Sequence, residues 1–422
     1  MNARPLSAPP IQPLILNSAP KAACAQWFHG SRFVLFLLAL ATVAPSAQAQ
    51  AFRVLYSFRE PQDGLNPAYG LVRDKAGNLY GTTQYGGYPG CVVNSCGTVF
   101  KVDASGKETT LHRFTGMADG DFPLSGLILD AQGNLYGVTG AGGGSAACYG
   151  GCGTVFKIDP NGNETVLHSF TNTDGAGPQG GLFRDEQGNL YGTTFFGGNV
   201  ACLAGEGYGC GTVFKVDATG KETVLYAFNG LADGKFPAAG VIRDAAGLLL
   251  GTTSQGGTHD GGTVFELDSA GKLTVLHTFG TGTDGYAPYG ALLPLGSSFY
   301  GTTAGGGTNA FGTVFKLDKS GRETVVYSFF GGADGMFPYA GVISDATGNF
   351  YGTTAFGGNA SYGTVFKLDS AGNETILHTF TGDADGGVPY GGVVRDVAGN
   401  LYGTNFRGNQ NNLFGKVFKL AP

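Results

Sequence analysis

The chain has 422 residues, of which 76 are Gly, 31 Phe and 19 Tyr; 13% are charged, and the formal net charge is −6. A negative chain without a Lys/Arg cluster is not expected to bind nucleic acid. The glycines recur at fixed places between apolar runs, which indicates short strands joined by tight turns and excludes a disordered chain.

The first predicted element is a leader with a signal peptide, residues 1–49. Arg32 precedes the apolar run Phe33–Ala44, and Ala47-Gln48-Ala49 fits a cleavage site, which places the mature start at Gln50. An apolar core of 12 residues is short of the roughly 20 needed to span a bilayer. We therefore expect an exported protein, secreted, extracellular or periplasmic, with no membrane span in the mature chain.

A unit of about 50 to 59 residues then occurs seven times. Each unit has a YGTT-like run, a GTVF run and a D-G-x-x-P turn. The YGTT-like runs are at Tyr80, Tyr136, Tyr191, Leu250, Tyr300, Tyr351 and Tyr402; the GTVF runs start at Gly97, Gly153, Gly211, Gly262, Gly312, Gly363 and Gly415. Seven units of this length predict an all-β, seven-bladed β-propeller over residues 50–422, with four antiparallel strands per blade.

The four strands of a unit are named A to D. In the first unit they are predicted at Gly70–Asp74, Asn78–Thr83, Gly97–Asp103 and Glu108–Phe114. The A–B and C–D breaks read D-x-x-G, which favours tight hairpins because Asp bonds the turn backbone and Gly accepts a positive φ.

The two ends of the repeat region predict how the ring closes. Phe52–Phe58 matches a D strand but has no A, B or C strand before it, and the last unit stops after its C strand at Leu420. We expect the N-terminal strand to complete the seventh blade, which leaves only short, protected edges. The order A-B-C-D places the variable B–C and D–A loops on one face, where binding is expected.

Together, YGTT, GTVFK, ET-x-L-x-x-F and DG-x-x-P over residues 52–422 resemble the choice-of-anchor tandem-repeat GloVer-containing proteins. The resemblance implies an exported bacterial surface or secreted protein, often with a C-terminal sorting signal, and no agreed activity. No such segment follows Leu420, so we expect a released form, and a monomer. The run Asp74–Tyr80 is also similar to a hairpin of NHL-type and lactonase-type propellers, a short similarity that the hairpin itself explains.

Six cysteines form close pairs in the B–C loops of three units. An even count in an exported chain favours disulfides, and zinc binding by two thiols per loop is the weaker alternative. The predicted disulfide pairs are Cys91/Cys96, Cys148/Cys152 and Cys202/Cys210.

Histidine and aspartate recur at equivalent positions, which favours structural roles. A single D-strand position carries His112, His168, His277 and His378, or Tyr56, Tyr226 and Tyr327 in the other units. Among the histidines of the repeat units, only His259, in a B–C loop, has no equivalent. The Asp of each D-G-x-x-P turn is interpreted as a turn cap, with one calcium ion per blade as the alternative; we expect no cofactor.

Aromatic residues distinguish the last three units. Directly after the turn Pro, these units carry Tyr289, Tyr339 and Tyr390, whereas the earlier units have Ala68, Leu124, Gln179 and Ala238. On a ring the three tyrosines would lie side by side near the mouth of the central channel, and we predict a ligand site there for a sugar or peptide. Phe196, Phe356 and Phe406 in the B–C loops are predicted to extend it. The alternative is packing between adjacent blades.

No catalytic motif is evident. The unit-specific acids Asp121, Glu186, Glu206 and Glu266 fall at different positions of different units, so the sequence favours a non-enzyme. We interpret the protein as an exported binding module whose partner is an extracellular glycan, a peptide or an envelope component. The alternatives are a metal-dependent hydrolase or lactonase with its site at the channel mouth, and a structural cell-envelope protein.

Overall fold

A computed structural model describes residues 51–88, 96–202, 208–409 and 414–422, so the predicted leader and its cleavage site lie outside the described residues. Within these ranges, 29 strands form seven sheets. No helix in these ranges is long and apolar enough to cross a bilayer.

The strands are numbered in chain order and grouped by blade. Blade 1 contains β2 (Val72–Arg73), β3 (Leu79–Thr83), β4 (Thr98–Val102) and β5 (Glu108–Arg113). Blade 2 contains β6 (Asp121–Pro123), β7 (Ile128–Leu129), β8 (Leu135–Ala141), β9 (Thr154–Ile158) and β10 (Glu164–Ser169). Blade 3 contains β11 (Phe183–Arg184), β12 (Leu190–Thr194), β13 (Thr212–Val216) and β14 (Glu222–Ala227). Blade 4 contains β15 (Ile242–Arg243), β16 (Leu249–Thr253), β17 (Thr263–Leu267) and β18 (Leu273–Thr278). Blade 5 contains β19 (Leu293–Leu295), β20 (Ser298–Thr303), β21 (Thr313–Asp318) and β22 (Glu323–Ser328), followed by a 3₁₀ turn, Gly332–Asp334. Blade 6 contains β23 (Ile343–Ser344), β24 (Phe350–Thr354), β25 (Thr364–Leu368) and β26 (Glu374–Thr379). Blade 7 contains β27 (Val394–Arg395), β28 (Leu401–Asn405), β29 (Lys416–Leu420) and, from the start of the chain, β1 (Phe52–Ser57).

The prediction of a seven-bladed propeller with four antiparallel strands per blade is confirmed. In each sheet the strands follow the order A-B-C-D, and blade 2 gains a fifth strand because β6 pairs with β8. The A strands have only two or three residues, fewer than the predicted Gly70–Asp74. The residues that precede each A strand line the central channel and do not extend the strand.

Ring closure by the N-terminal strand is also confirmed. Strand β1 pairs antiparallel with β29, in a register from Phe52 opposite Leu420 to Ser57 opposite Lys416. Hydrogen bonds join blade 7 to blade 1 as well, since Thr404 donates to the Tyr69 carbonyl at 3.0 Å. The outer strand of the last blade therefore comes from the opposite end of the chain.

The YGTT and GTVF motifs form the core of every blade. In blade 1, Val99 and Phe100 of strand C are fully buried because neighbouring sheets cover both faces. The close packing of strands B and C requires the Gly of YGTT, since a Cβ on Gly81 would lie 2.7 Å from the Phe100 ring. The second Thr, Thr83, shares a buried 2.8 Å hydrogen bond with Thr98 of GTVF.

The A–B turns carry a second repeated contact between blades. In blade 7, Asp396 accepts hydrogen bonds from the Asn400 amide N at 2.9 Å and from the Tyr402 hydroxyl at 3.0 Å. The Arg73 guanidinium of blade 1 lies over the Tyr402 ring, 5.7 Å from its centroid. The turn Asp thus fixes a tyrosine against which the next blade packs.

Candidate functional site

The segment after each turn Pro forms the inner wall of the propeller. Inner segments of neighbouring blades approach so closely that a Cβ on Gly240 would lie 1.9 Å from the Gly181 carbonyl oxygen. Likewise, a Cβ on Gly341 would lie 2.3 Å from the Ala291 oxygen. Small residues are therefore required where two inner segments approach each other this closely, and the larger side chains of the wall lie at the first or second position after Pro.

A cavity of about 480 Å³ occupies this mouth and receives residues from all seven blades. Tyr289, Tyr339 and Tyr390 line one side, contributed by blades 5, 6 and 7. The equivalent positions of blades 1 and 4 are Ala68 and Ala238. The wall therefore has an aromatic side and a side of small and polar residues.

The three tyrosines form a continuous arc. The ring centroids of Tyr289 and Tyr339 are 5.6 Å apart, and those of Tyr339 and Tyr390 are 5.4 Å apart. All three side chains are half-buried. Burial raises the pKa of the Tyr339 and Tyr390 phenols, so both stay protonated at neutral pH and offer an O–H donor beside an apolar ring face.

Polar groups lie on the other side of the cavity. The Gln84 amide donates to the Tyr69 hydroxyl oxygen at 3.2 Å, and burial raises the pKa of that phenol. The Ser125 Oγ is shielded from solvent and has no hydrogen-bond partner among the described residues. Gln179 adds a second amide to the wall. None of the described residues that line the cavity is acidic, basic or histidine.

The predicted phenylalanines occupy three different settings. Phe406 lines the cavity and packs edge-on against Tyr390, with centroids 5.3 Å apart. Phe356 contacts the same tyrosine at 6.3 Å but is not part of the lining. Phe196 instead packs against Phe236 at 5.6 Å, outside this cavity. Phe406 is the first residue after its B strand, whereas Phe196 and Phe356 are the second residue after theirs. Successive side chains of an extended chain point to opposite sides, so Phe406 points in a different direction from Phe196 and Phe356.

Other candidate residues from the sequence do not converge on the cavity. Asp121 lies in β6, Glu186 in the A–B turn after β11, and Glu266 in β17, while Glu206 lies outside the described residues. His259 is exposed, and its Nδ1 is 2.9 Å from Thr258 Oγ1. The structure therefore does not bring the described unit-specific acids together.

The turn aspartates act within their own loops. Asp63 accepts hydrogen bonds from the Tyr56 hydroxyl at 2.6 Å and from the amides of Arg59 and Glu60 at 3.2 Å. His168 takes the place of the tyrosine in blade 2. The cap geometry matches the structural interpretation of these aspartates.

Two disulfides brace B–C loops on the face that carries the cavity. Cys148 is bonded to Cys152, and Cys202 to Cys210, as predicted. Cys91, the predicted partner of Cys96, lies outside the described residues.

The comparisons with known proteins identify the repeat. The model of the Gloeobacter/Verrucomicrobia repeat matches residues 42–207 and 199–418. The chain belongs to the Gloeobacter/Verrucomicrobia repeat family. The resemblance found in the sequence is thus confirmed for most of the chain. A comparison with curated proteins finds no match.

Known structures share the fold of this family member at low identity. Virginiamycin B lyase from Staphylococcus aureus is 14% identical with a TM-score of 0.54, covering 88% of this chain and 99% of that chain. The extracellular domain of a putative one-component system from B. thetaiotaomicron is 9% identical with a TM-score of 0.54, covering 88% and 40%. A gluconolactonase from Xanthomonas campestris is 14% identical with a TM-score of 0.43, covering 88% and 89%. The two structures with a TM-score of 0.54 show a shared fold, and identities this low show nothing about activity.

Sequence reasoning missed the polar side of the cavity. Tyr69 and Ser125 both lie two residues after the turn Pro, where other units have Gly or Ala. Gln84 likewise follows its YGTT run at a position that differs between units. A comparison of the units at the second position after Pro would have identified Tyr69 and Ser125 from the sequence.

Proposed function

We propose that this protein is an exported carbohydrate-binding module whose site is the channel mouth. The observation that supports this most directly is the arc of Tyr289, Tyr339 and Tyr390 in a cavity whose described lining carries no charged side chain. Aromatic faces pack against the C–H surfaces of sugar rings, and phenol, amide and hydroxyl groups hydrogen-bond sugar hydroxyls.

The dimensions and polarity of the cavity favour a short neutral sugar. A volume of about 480 Å³ lies within the roughly 300–1,000 Å³ typical of small-molecule sites. Because the described lining is uncharged, it offers no ion-pair partner to an acidic or basic ligand. The Ser125 hydroxyl, which has no hydrogen-bond partner among the described residues, and the Gln179 amide are chemically suited to neutral hydroxyl groups.

Export is part of the proposal. Two disulfides are stable in an oxidising compartment, and the predicted signal peptide would deliver the chain there. A hydrolase or lactonase at the channel mouth has less support, because metal-assisted or acid–base hydrolysis requires carboxylates or histidines at the reacting centre.

The test is a binding panel of neutral cello-, malto-, chito- and galacto-oligosaccharides on the mature protein, followed by calorimetry with the best ligand. Tyr339→Ala removes the central ring of the arc and should weaken binding at least about tenfold, or about 1.4 kcal/mol. Replacing all three tyrosines by Ala should abolish binding. Retained affinity in the triple variant would exclude the three tyrosines as the binding site.

Tyr149→Ala is the matched control. Tyr149 is fully exposed in a B–C loop of the same face and is not part of the cavity lining. Its substitution should leave the affinity unchanged.

A second candidate is attachment to an envelope surface, and the distribution of exposed apolar side chains favours it. Eight of the ten large exposed apolar side chains among the described residues lie in D–A or B–C loops. They are Tyr88, Met117, Tyr149, Val200, Tyr208, Leu231, Tyr286 and Phe330. Co-sedimentation with cell-wall fractions, lost in a Leu231→Ser/Phe330→Ser variant but kept in Tyr339→Ala, would indicate this role instead.

A further inference from the structure

Each junction between two blades places three equivalent side chains together. They are the D-strand His or Tyr of one blade, the turn Asp that follows it, and the first residue of the next blade's D strand. Between blades 2 and 3 these are His168 in β10, Asp174 in the loop, and Glu222 in β14. One nitrogen and two carboxylate oxygens from these residues all lie within 4.8 Å of one another.

The geometry of this junction is close to that of a bound divalent ion. His168 Nε2 is 3.1 Å from Asp174 Oδ2. Zinc bonds of roughly 2.0–2.2 Å place tetrahedral ligands about 3.4 Å apart. The ligand atoms of this junction lie within 4.8 Å of one another, so small side-chain movements would bring them to that spacing. The other Asp174 oxygen is held by the Thr171 amide at 2.7 Å, which orients the carboxylate toward the histidine.

The carboxylate of Glu222 has an oxygen without a partner. Its Oε1 is shielded from solvent and accepts no hydrogen bond from the described residues. The charges of His168 and Asp174 both act on the Glu222 carboxylate. A cation at the junction would satisfy that oxygen and neutralise two neighbouring carboxylates.

Other junctions show that the His–Asp pair alone is structural. At the junction of blades 6 and 7, Phe52 stands where Glu222 would be and stacks on His378, with centroids 4.0 Å apart. At the junction of blades 3 and 4, Tyr226 donates to Asp233 at 3.0 Å, and the third position is Leu273. An unpartnered Glu oxygen recurs at Glu164 and Glu323, where His, Asp and Glu are all present, and also at Glu374, where Tyr327 replaces the His.

We propose that His168, Asp174 and Glu222 form a binding site for a divalent transition metal, with zinc as the best-fitting ion. An imidazole with two carboxylates suits zinc, whereas calcium prefers oxygen ligands alone. A fourth position remains for water. The ion joins β10 of blade 2 to β14 of blade 3 and so stabilises the interface between them.

The test measures zinc binding by the untagged mature protein after removal of bound metal with EDTA. The wild-type protein should bind zinc and melt at a higher temperature with it. His168→Tyr should lose one zinc equivalent, or at least tenfold in affinity at this site, together with the zinc-dependent rise in melting temperature. Tyr occupies this position in other blades, so the variant is expected to fold.

Two further variants separate metal binding from structure. Glu222→Leu copies the residue of the next junction and should lose the same zinc equivalent as His168→Tyr. His378→Tyr, at a junction without the glutamate, should bind as much zinc as the wild-type protein. No zinc bound by the wild-type protein, or equal binding in the wild-type protein and both junction variants, would overturn the proposal.

Discussion

The framework of the blades and the mouth of the channel differ in how strictly they repeat. In six blades the Thr that ends the YGTT-like run pairs with the Thr of GTVF at 2.8–2.9 Å. Directly after the turn Pro, by contrast, the units carry Tyr, Ala, Gln or Leu. Repeated positions therefore stabilise the ring, whereas positions that differ between blades give the mouth its chemical character.

The largest expected effect follows from breaking the framework at its closure. Deleting residues 52–58 removes β1 and the adjacent Phe58, which is 3% exposed, and leaves β29 as an open edge. Loss of one buried Phe costs about 3–5 kcal/mol, so the deletion should cost at least that much and promote aggregation through the free edge. Calorimetry and light scattering would measure both effects.

A circular permutant is the control for that deletion. The Ala421 amide donates to the Ala51 carbonyl at 3.1 Å, so the strand can follow the C-terminus through a short linker. Moving residues 51–58 there should restore the melting temperature. An unchanged melt in the deletion variant would contradict the role of β1 in closure.

The next largest effect on stability is expected at the two Thr residues of one YGTT run. Thr194→Val removes a buried 2.9 Å hydrogen bond to Thr212 Oγ1 and leaves the Thr212 amide unpaired, which should cost about 1–3 kcal/mol. Thr193 donates to the Ala239 carbonyl at 2.8 Å. Because Val138 occupies the position of Thr193 in blade 2, Thr193→Val should cost less, about 1 kcal/mol. Equal losses of melting temperature would contradict this ranking.

A smaller effect concerns pH at the junction of blades 4 and 5. Burial, together with the nearby Asp284 charge, raises the pKa of Glu323 from 4.5 to about 7. The other titratable group at this junction is His277, whose Nε2 is 3.4 Å from Asp284 Oδ2. Between these two pKa values Glu323 binds more protons in the native state than in the unfolded state, so its contribution to stability falls as the pH rises from 4.5 to 7. Burial lowers the pKa of His277, which acts in the opposite direction, and a comparison with a Glu323 variant removes that contribution.

Glu323→Gln tests that pH dependence. The variant should match the wild-type melting temperature near pH 4.5 and exceed it above pH 7. The difference should be no more than about 1 kcal/mol, because the side chain is only half-buried and solvent screens its charge. The exposed Glu186→Gln is the control and should show no such divergence. A constant offset at all pH values would contradict the assignment.

The sequence predicted the framework better than the mouth because repetition reveals only what is shared. The strand order, the closing strand and the tight hairpins follow from landmarks that recur in every unit. The arc of tyrosines was predicted from a difference between units at a single position. Gln84 and Ser125 were missed because their neighbours in the cavity come from other blades, and only the three-dimensional ring brings them together.

The cluster of His168, Asp174 and Glu222 was missed for a similar reason, because its residues come from two different units. His168 looked structural because its position repeats, and the structure supports that role for the His–Asp pair. Glu222 lies 54 residues further along the chain, at the start of another D strand. No spacing within a single unit indicates that these side chains meet.

The most direct test of the account is one paired measurement of sugar affinity and melting temperature on Tyr339→Ala and Thr194→Val, using the best oligosaccharide of the neutral panel. We expect Tyr339→Ala to lose affinity with little change in melting temperature, and Thr194→Val to melt at a lower temperature but to bind normally while folded. Weakened binding in folded Thr194→Val, or wild-type affinity in Tyr339→Ala, would contradict the separation of framework and mouth.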